Sequence, residues 1–151
     1  MASDASPQSN PMPVPGPGSE AILRSGKLIA FVPARDLARA RGFYESVLGL
    51  RLVGDYAPVA QVFDANGTML RVTSVGDFSP APFTILGWQV ESIDNTVERL
   101  ASAGVSPLRY KGMNEDDARG IWTSPAGARV AWFHDADGNV LSVTEFPRNS
   151  D

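Results

Sequence analysis

Apolar and polar residues alternate in short runs along most of the chain, and the runs recur. Residues 64–73 read DANGTMLRVT and residues 135–144 read DADGNVLSVT. Asp, Ala, Gly, Leu, Val and Thr return in register, 71 positions apart. Each copy opens on a turn, Asn66-Gly67 or Asp137-Gly138, and continues with apolar residues at every second position. This pattern predicts a hairpin turn feeding a strand. Upstream, residues 28–34 (LIAFVPA) and 85–90 (ILGWQV) read as two more strands, each leading to a residue fit to cap a helix, Asp36 or Ser92. Helical periodicity follows each cap. Leu37, Ala40, Tyr44, Val47 and Leu48 share one face, as do Ile93, Val97, Leu100 and Ala101. Gly49 and Gly104 suit left-handed caps at the far ends.

In this upstream part the copies lie 55–56 positions apart, so the second copy is about fifteen residues longer, with most of the excess in the polar stretch Lys111–Ala126. The remaining strands are expected at Leu50–Gly54, Val59–Asp64 and Thr68–Val75, and again at Pro107–Lys111, Arg129–His134 and Asn139–Glu145. Each copy then reads strand–helix–strand–strand–strand. The expected fold class is α+β, with two tandem βαβββ modules, 26–76 and 83–147, in one domain spanning 26–147. Strand alternation sorts the two faces of each sheet. Leu28, Ala30, Val32, Leu70, Val72, Leu86, Trp88, Val90, Leu141 and Val143 should lie under the helices. The opposite parity gives Ile29, Phe31, Met69, Arg71, Thr73, Ile85, Gly87, Gln89, Ser142 and Thr144, a mixed lining suited to a small organic ligand.

Composition narrows the chemistry. Among the 151 residues there is no Cys and a single His, His134, which excludes thiolate sites and any site needing two histidines of one chain. The net charge of −4 argues against nucleic acid and against an anionic membrane surface as partners. Residues 1–25 are proline-rich and are expected to form a disordered tail, with a second short tail at 148–151. The first segment lacks a basic start and an apolar stretch, so the expected location is cytoplasmic.

The segments DLARARGFYESVLGL (36–50), FDANGTMLRV (63–72), GWQVESIDNTVERLASAGV (87–105) and FHDADGNVLSVTEF (133–146) resemble the vicinal oxygen chelate superfamily of glyoxalases, bleomycin-resistance-type binding proteins and extradiol dioxygenases. The resemblance implies a cupped mixed sheet and, in many members, a homodimer and a divalent metal. It places the four metal-ligand positions at Ile29, Arg71, Ile85 and Ser142, where His, Gln or Glu would be usual. Two aliphatics, a cation and a hydroxyl are not that donor set, so no metal or other cofactor is expected. By analogy with the family, Val130, Trp132 and His134 face inward.

The expected ligand-binding residues are Ile29, Phe31, Arg71, Ile85, Gln89, Trp132, His134 and Ser142. Arg71 would clamp a carboxylate or phosphate or form a structural ion pair, and His134 would serve as a base or hydrogen-bond partner. Trp122, Tyr56 and Tyr110 are candidates for stacking, whereas Asp64, Asp135 and Asp137 are expected to cap their turns. The run Glu115–Asp117 reads as a solvated loop or a lid. These readings point first to a metal-free small-molecule-binding protein. The alternatives are a glyoxalase-type lyase, isomerase or dioxygenase, and a regulatory module using the proline-rich tail.

Overall fold

The computed structural model describes residues 11–14 and 21–148. The expected tails therefore lie largely outside the described residues. Among the described residues, eight strands form two four-stranded sheets. The first holds β1 (Ile29–Ala34), β2 (Arg51–Tyr56), β3 (Ala60–Ala65) and β4 (Thr68–Ser74) in the order β1-β4-β3-β2. The second holds β5 (Thr84–Gln89), β6 (Trp122–Thr123), β7 (Arg129–His134) and β8 (Val140–Glu145) in the order β5-β8-β7-β6. In each sheet the first and last strands of the module pair in parallel, β1 with β4 and β5 with β8, and the other pairs are antiparallel. The two modules thus share one plan, with a helix between the first strand and the next in each.

The helices are started by the residues expected. Asp36 accepts hydrogen bonds from the amides of Ala38 and Arg39 at the start of α1 (Leu37–Arg41), and Ser92 accepts from Asn95 at the start of α2 (Ile93–Ser102). The first helix departs from a uniform α-helix. Beyond Arg41 it continues as a π-helical segment over Gly42–Val47, and the Leu48 amide bonds back to the Phe43 carbonyl at 2.9 Å. The wider turn lets the adjacent Phe43 and Tyr44 both bury. Their rings meet edge to face at 5.2 Å.

One hydrophobic core joins the modules. Val32, Phe63, Leu70 and Val72 from the first sheet and Ala131, Phe133, Leu141 and Val143 from the second belong to it, together with Tyr44, Ile93 and Val97. The expected alternation holds for most of these strands. It fails at Leu28, which precedes β1 and is exposed. It fails again at Ile85, where a bulge between Thr84 and Leu86 breaks the pairing with β8 and Ile85 packs against the core.

The expected strand at Pro107–Lys111 is absent, and the second strand of the second module is β6. The segment 106–121 is instead an ordered loop. Buried Asn114 donates to the carbonyls of Leu108 and Gly120 at 2.8 and 2.7 Å and accepts from the Tyr110 amide at 2.7 Å. The Arg109 guanidinium donates to the carbonyls of Asn114 and Asp117. These bonds satisfy backbone groups that a strand ladder would otherwise satisfy, which is why the polar run folds without one.

Candidate functional site

Register places the open-face residues of the first sheet in rows. Ile29, Met69, Asp64 and Arg51 form one row, and Phe31, Arg71 and Val62 form the next. Pro33, Thr73, Ala60 and Tyr56 form a third. Ile29, Phe31, Met69 and Val53 are exposed, although they are apolar. A cavity of about 450 Å³ lies here, lined by Lys27, Ile29, Arg51, Val53, Val62, Phe63, Asp64, Gly67 and Met69. Gly54 shows how closely the next strand residue folds back. A Cβ at that position would stand 2.8 Å from Cε2 of Tyr56, so the Tyr56 ring lies over the glycine.

Arg71 is half-buried in the middle row. Its guanidinium carbon stands 5.9 Å from the centre of the Tyr56 ring. The ion pairs of the described residues involve Arg35, Arg41, Arg51, Arg119 and Arg129, and no carboxylate among the described residues lies within 4.0 Å of Arg71. Two residues further along β4, on the same face, the Thr73 Oγ1 is buried without a hydrogen-bond partner among the described residues.

The second sheet presents a different face. Gly87, Ser142 and Trp132 form one row, and Gln89, Thr144, Val130 and Trp122 form the next. His134 sits at the end of β7 opposite Val140 and is exposed. A Cβ on Gly87 would meet the Ser142 Oγ at 2.8 Å, so the missing side chain makes room for that hydroxyl. Trp132 is the centre of an aromatic cluster, with Tyr110 edge-on at 5.2 Å and Trp122 tilted at 6.1 Å. Tyr110 comes from the loop anchored by Asn114, so the loop fixes one wall of this face.

Of the expected binding residues, the structure gathers Ile29, Phe31 and Arg71 on the first open face and Gln89, Trp132, His134 and Ser142 on the second. Ile85 joins neither, for the bulge turns it to the core. Ile29 lines the 450 Å³ cavity, and Gln89 lines a separate one of about 630 Å³ between the modules. Tyr56 and Thr73 are the residues that the sequence reading underused. The signal for Tyr56 was Gly54, a glycine inside a strand, which marks a close approach.

The aspartates bond more widely than their turns require. Asp64 accepts from the Gly67 amide at 2.9 Å, as a local cap does. Asp135 accepts from the amides of Asp137 and Asn139, and its second oxygen accepts from the Tyr44 hydroxyl at 2.6 Å and from the Asn139 side chain at 2.8 Å. Burial, and then the negative charge of Asp135, push the Tyr44 phenol far above the ordinary tyrosine range. Glu145 turns towards α2 and accepts from the Ile93 amide at 3.2 Å.

Metal-dependent relatives would take ligands at the positions of Ile29, Arg71, Ile85 and Ser142. Among the described residues no three His, Cys, Asp or Glu side chains converge as a metal site would need. A guanidinium and one hydroxyl between aliphatic side chains do not fit a divalent ion. Nor is any described helix long and apolar enough to cross a membrane.

Comparison with known proteins agrees with this architecture. No curated protein matches the sequence. The lactoylglutathione lyase of Agrobacterium tumefaciens superposes with a TM-score of 0.64 at 18% identity, covering 80% of this chain and 93% of that one. A glyoxalase/bleomycin resistance protein/dioxygenase of Alicyclobacillus acidocaldarius gives 0.60 at 19% identity, covering 82% and 92%. The fosfomycin resistance protein FosX of Listeria monocytogenes gives 0.62 at 15% identity, covering 79% and 89%. At these identities the likeness is one of fold. A family model for the glyoxalase/bleomycin resistance protein/dioxygenase superfamily matches residues 28–143, and the chain belongs to that superfamily.

Proposed function

We propose that the protein binds a small organic ligand on the open faces of its sheets, without a metal, and works as a pair of identical chains. One observation carries the reading: Arg71 stands half-buried on an apolar face with no carboxylate of the described residues within 4.0 Å. A cation so placed gains most from an anionic group brought by a guest. The apolar side chains around it, Ile29, Phe31, Met69 and Val62, supply area for an organic body. The donor chemistry at the four family positions supports binding that uses no metal.

Pairing of chains has its own support. Exposed Ile29, Phe31, Val53, Val59 and Met69 leave much of one sheet face unburied in the single chain. A second copy laid against part of it would cover that part and wall in the remainder, around Arg71 and Phe31, as the site.

The test is a thermal-shift screen of the chelator-free protein against Fe²⁺, Mn²⁺, Ni²⁺ and Zn²⁺ and against a library of small organic ions, with elemental analysis alongside. Organic anions should raise the melting temperature and the four metals should not. One tightly held metal per chain would overturn the reading. Sedimentation equilibrium should give twice the chain mass of 16.1 kDa.

A further inference from the structure

We infer that the open face of the first sheet is a subsite for a monocarboxylate carried on an apolar or aromatic body, with Arg71, Tyr56 and Thr73 reading the carboxylate. The inference rests on the small-molecule reading above and names its ligand class. The Arg71 guanidinium carbon lies over the Tyr56 ring, 5.9 Å from its centre. No carboxylate among the described residues lies within 4.0 Å of this cation, so its N–H groups are left for a ligand, and two parallel donors match the two oxygens of a carboxylate. A tetrahedral oxyanion would need further cations to balance its charge. Lys27 and Arg51 line the adjoining 450 Å³ cavity, which shares Val62 and Met69 with this subsite, but Arg51 lies one row from Arg71 and already faces Asp64 at 3.5 Å.

The buried Thr73 hydroxyl has no partner among the described residues and lies on the same face, in the row next to Arg71. A buried hydroxyl without a partner is uncommon in folded proteins, and a ligand oxygen is one way to meet it. The side chains beside Arg71 are apolar. Phe31 is its neighbour on β1, Val62 its neighbour on β3, and Met69 precedes it by two on the same face. The body of the ligand is therefore apolar, and the Phe31 ring, 60% exposed, is free to take an aromatic one. Tyr56 and Thr73 are positioning and specificity residues of this subsite.

Isothermal titration of the full chain with 1-naphthoate, with the neutral isostere 1-naphthamide and with inorganic phosphate tests the inference. Naphthoate should bind at least about tenfold more tightly than naphthamide, as expected for a charge-assisted bidentate contact. In Arg71→Met the two should become equal, and Thr73→Val and Tyr56→Leu should each weaken naphthoate a few-fold with little effect on naphthamide. Equal binding of acid and amide by the unmodified protein overturns the inference and leaves the small-molecule reading standing. This comparison needs no variant to fold. Displacement of naphthoate by millimolar phosphate would also overturn it, since a bare oxyanion would then suffice. Should Arg71→Met change the sedimentation mass while naphthoate binding holds, Arg71 belongs to a chain–chain contact and the inference fails. If no naphthyl compound binds but the organic library still gives shifts, the ligand class is wrong and the broader reading survives.

Discussion

The two places where a hairpin turn of one module meets the first strand of the other are built on the same repeat and have opposite characters. At the first, the β7–β8 turn clasps the end of β1. Asp135 takes the Tyr44 hydroxyl, Asn139 donates to the Pro33 carbonyl at 3.0 Å, and Asp137 accepts from the Arg35 amide at 3.0 Å. At the second, the β3–β4 turn approaches the end of β5 and leaves the 630 Å³ cavity, lined by Asn66, Gln89, Val90, Glu91, Glu145, Phe146 and Arg148. The repeat explains the difference residue by residue. Seventy-one positions separate Asp64 from Asp135, Asn66 from Asp137 and Thr68 from Asn139. Fifty-six separate Tyr44 from Leu100 and Arg35 from Glu91. The second junction keeps one member of the clasp, Asp64, and lacks its donors. One clasp is enough to hold two modules that already share a core, so the other junction is free to differ.

Paired substitutions test that contrast. Asp135→Ala should cost about 3 kcal/mol or more, because it orphans several buried donors at once, whereas Asp64→Ala should cost about 1 kcal/mol. Urea denaturation of both variants measures the difference, and similar losses would erase the distinction between the junctions. Tyr44→Phe should cost about 1–3 kcal/mol. It should also change the alkaline limb of stability. The folded phenol resists ionisation while the unfolded one ionises near pH 10, so stability is complete below that pH and falls as pH rises through it. Denaturation midpoints between pH 8 and pH 11 should decline less steeply in Tyr44→Phe.

A smaller effect is expected from Arg35→Ala, about 1 kcal/mol, since the Arg35 guanidinium bonds the Asp137 carbonyl and stands over the Phe78 ring at 4.4 Å. Its counterpart Glu91→Ala should change stability by less than about 0.5 kcal/mol. Asp94→Asn should have the smallest effect near neutrality and show itself mainly in acid. The hydrogen bond from Arg129, with help from the charges of Arg129 and Arg119 and against the cost of desolvation, holds the Asp94 carboxyl below the usual range. Its contribution is present above the ordinary aspartate range and is lost as pH falls through the lowered value. The variant should therefore lose part of the acid dependence of the melting temperature.

What could be read in the sequence was local and periodic. The repeat located both hairpin turns, and the helix caps Asp36 and Ser92 stood where their side chains permit. Alternation assigned Val32, Leu70, Val72, Leu141 and Val143 to the core because a strand repeats every two residues whatever surrounds it. The rest depended on contacts that no window contains. The π-turn after Arg41 follows from burying two adjacent aromatic rings. The loop 106–121 is ordered by Asn114, whose three bonds reach residues on both sides of it. Ile85 has the parity of a lining residue, and one bulge reverses it. On the candidate site, Arg71 was legible from its place among apolar neighbours. Its ring partner Tyr56 was named there only as a candidate for stacking, since alternation does not give the rotamer that lays the ring over Gly54 and within reach of Arg71.

The clasp also sets an order of events during synthesis. Tyr44 waits for an acceptor 91 residues later, and the Pro33 carbonyl for a donor 106 residues later. Until Asn139 has left the ribosome, the first module carries an unmatched phenol and an unclosed strand end, although its own four strands are already complete. Its native state cannot be reached vectorially, one module after the other. The nascent first half is bound to dwell in an open, unsealed form, and the last hairpin to emerge closes both halves together.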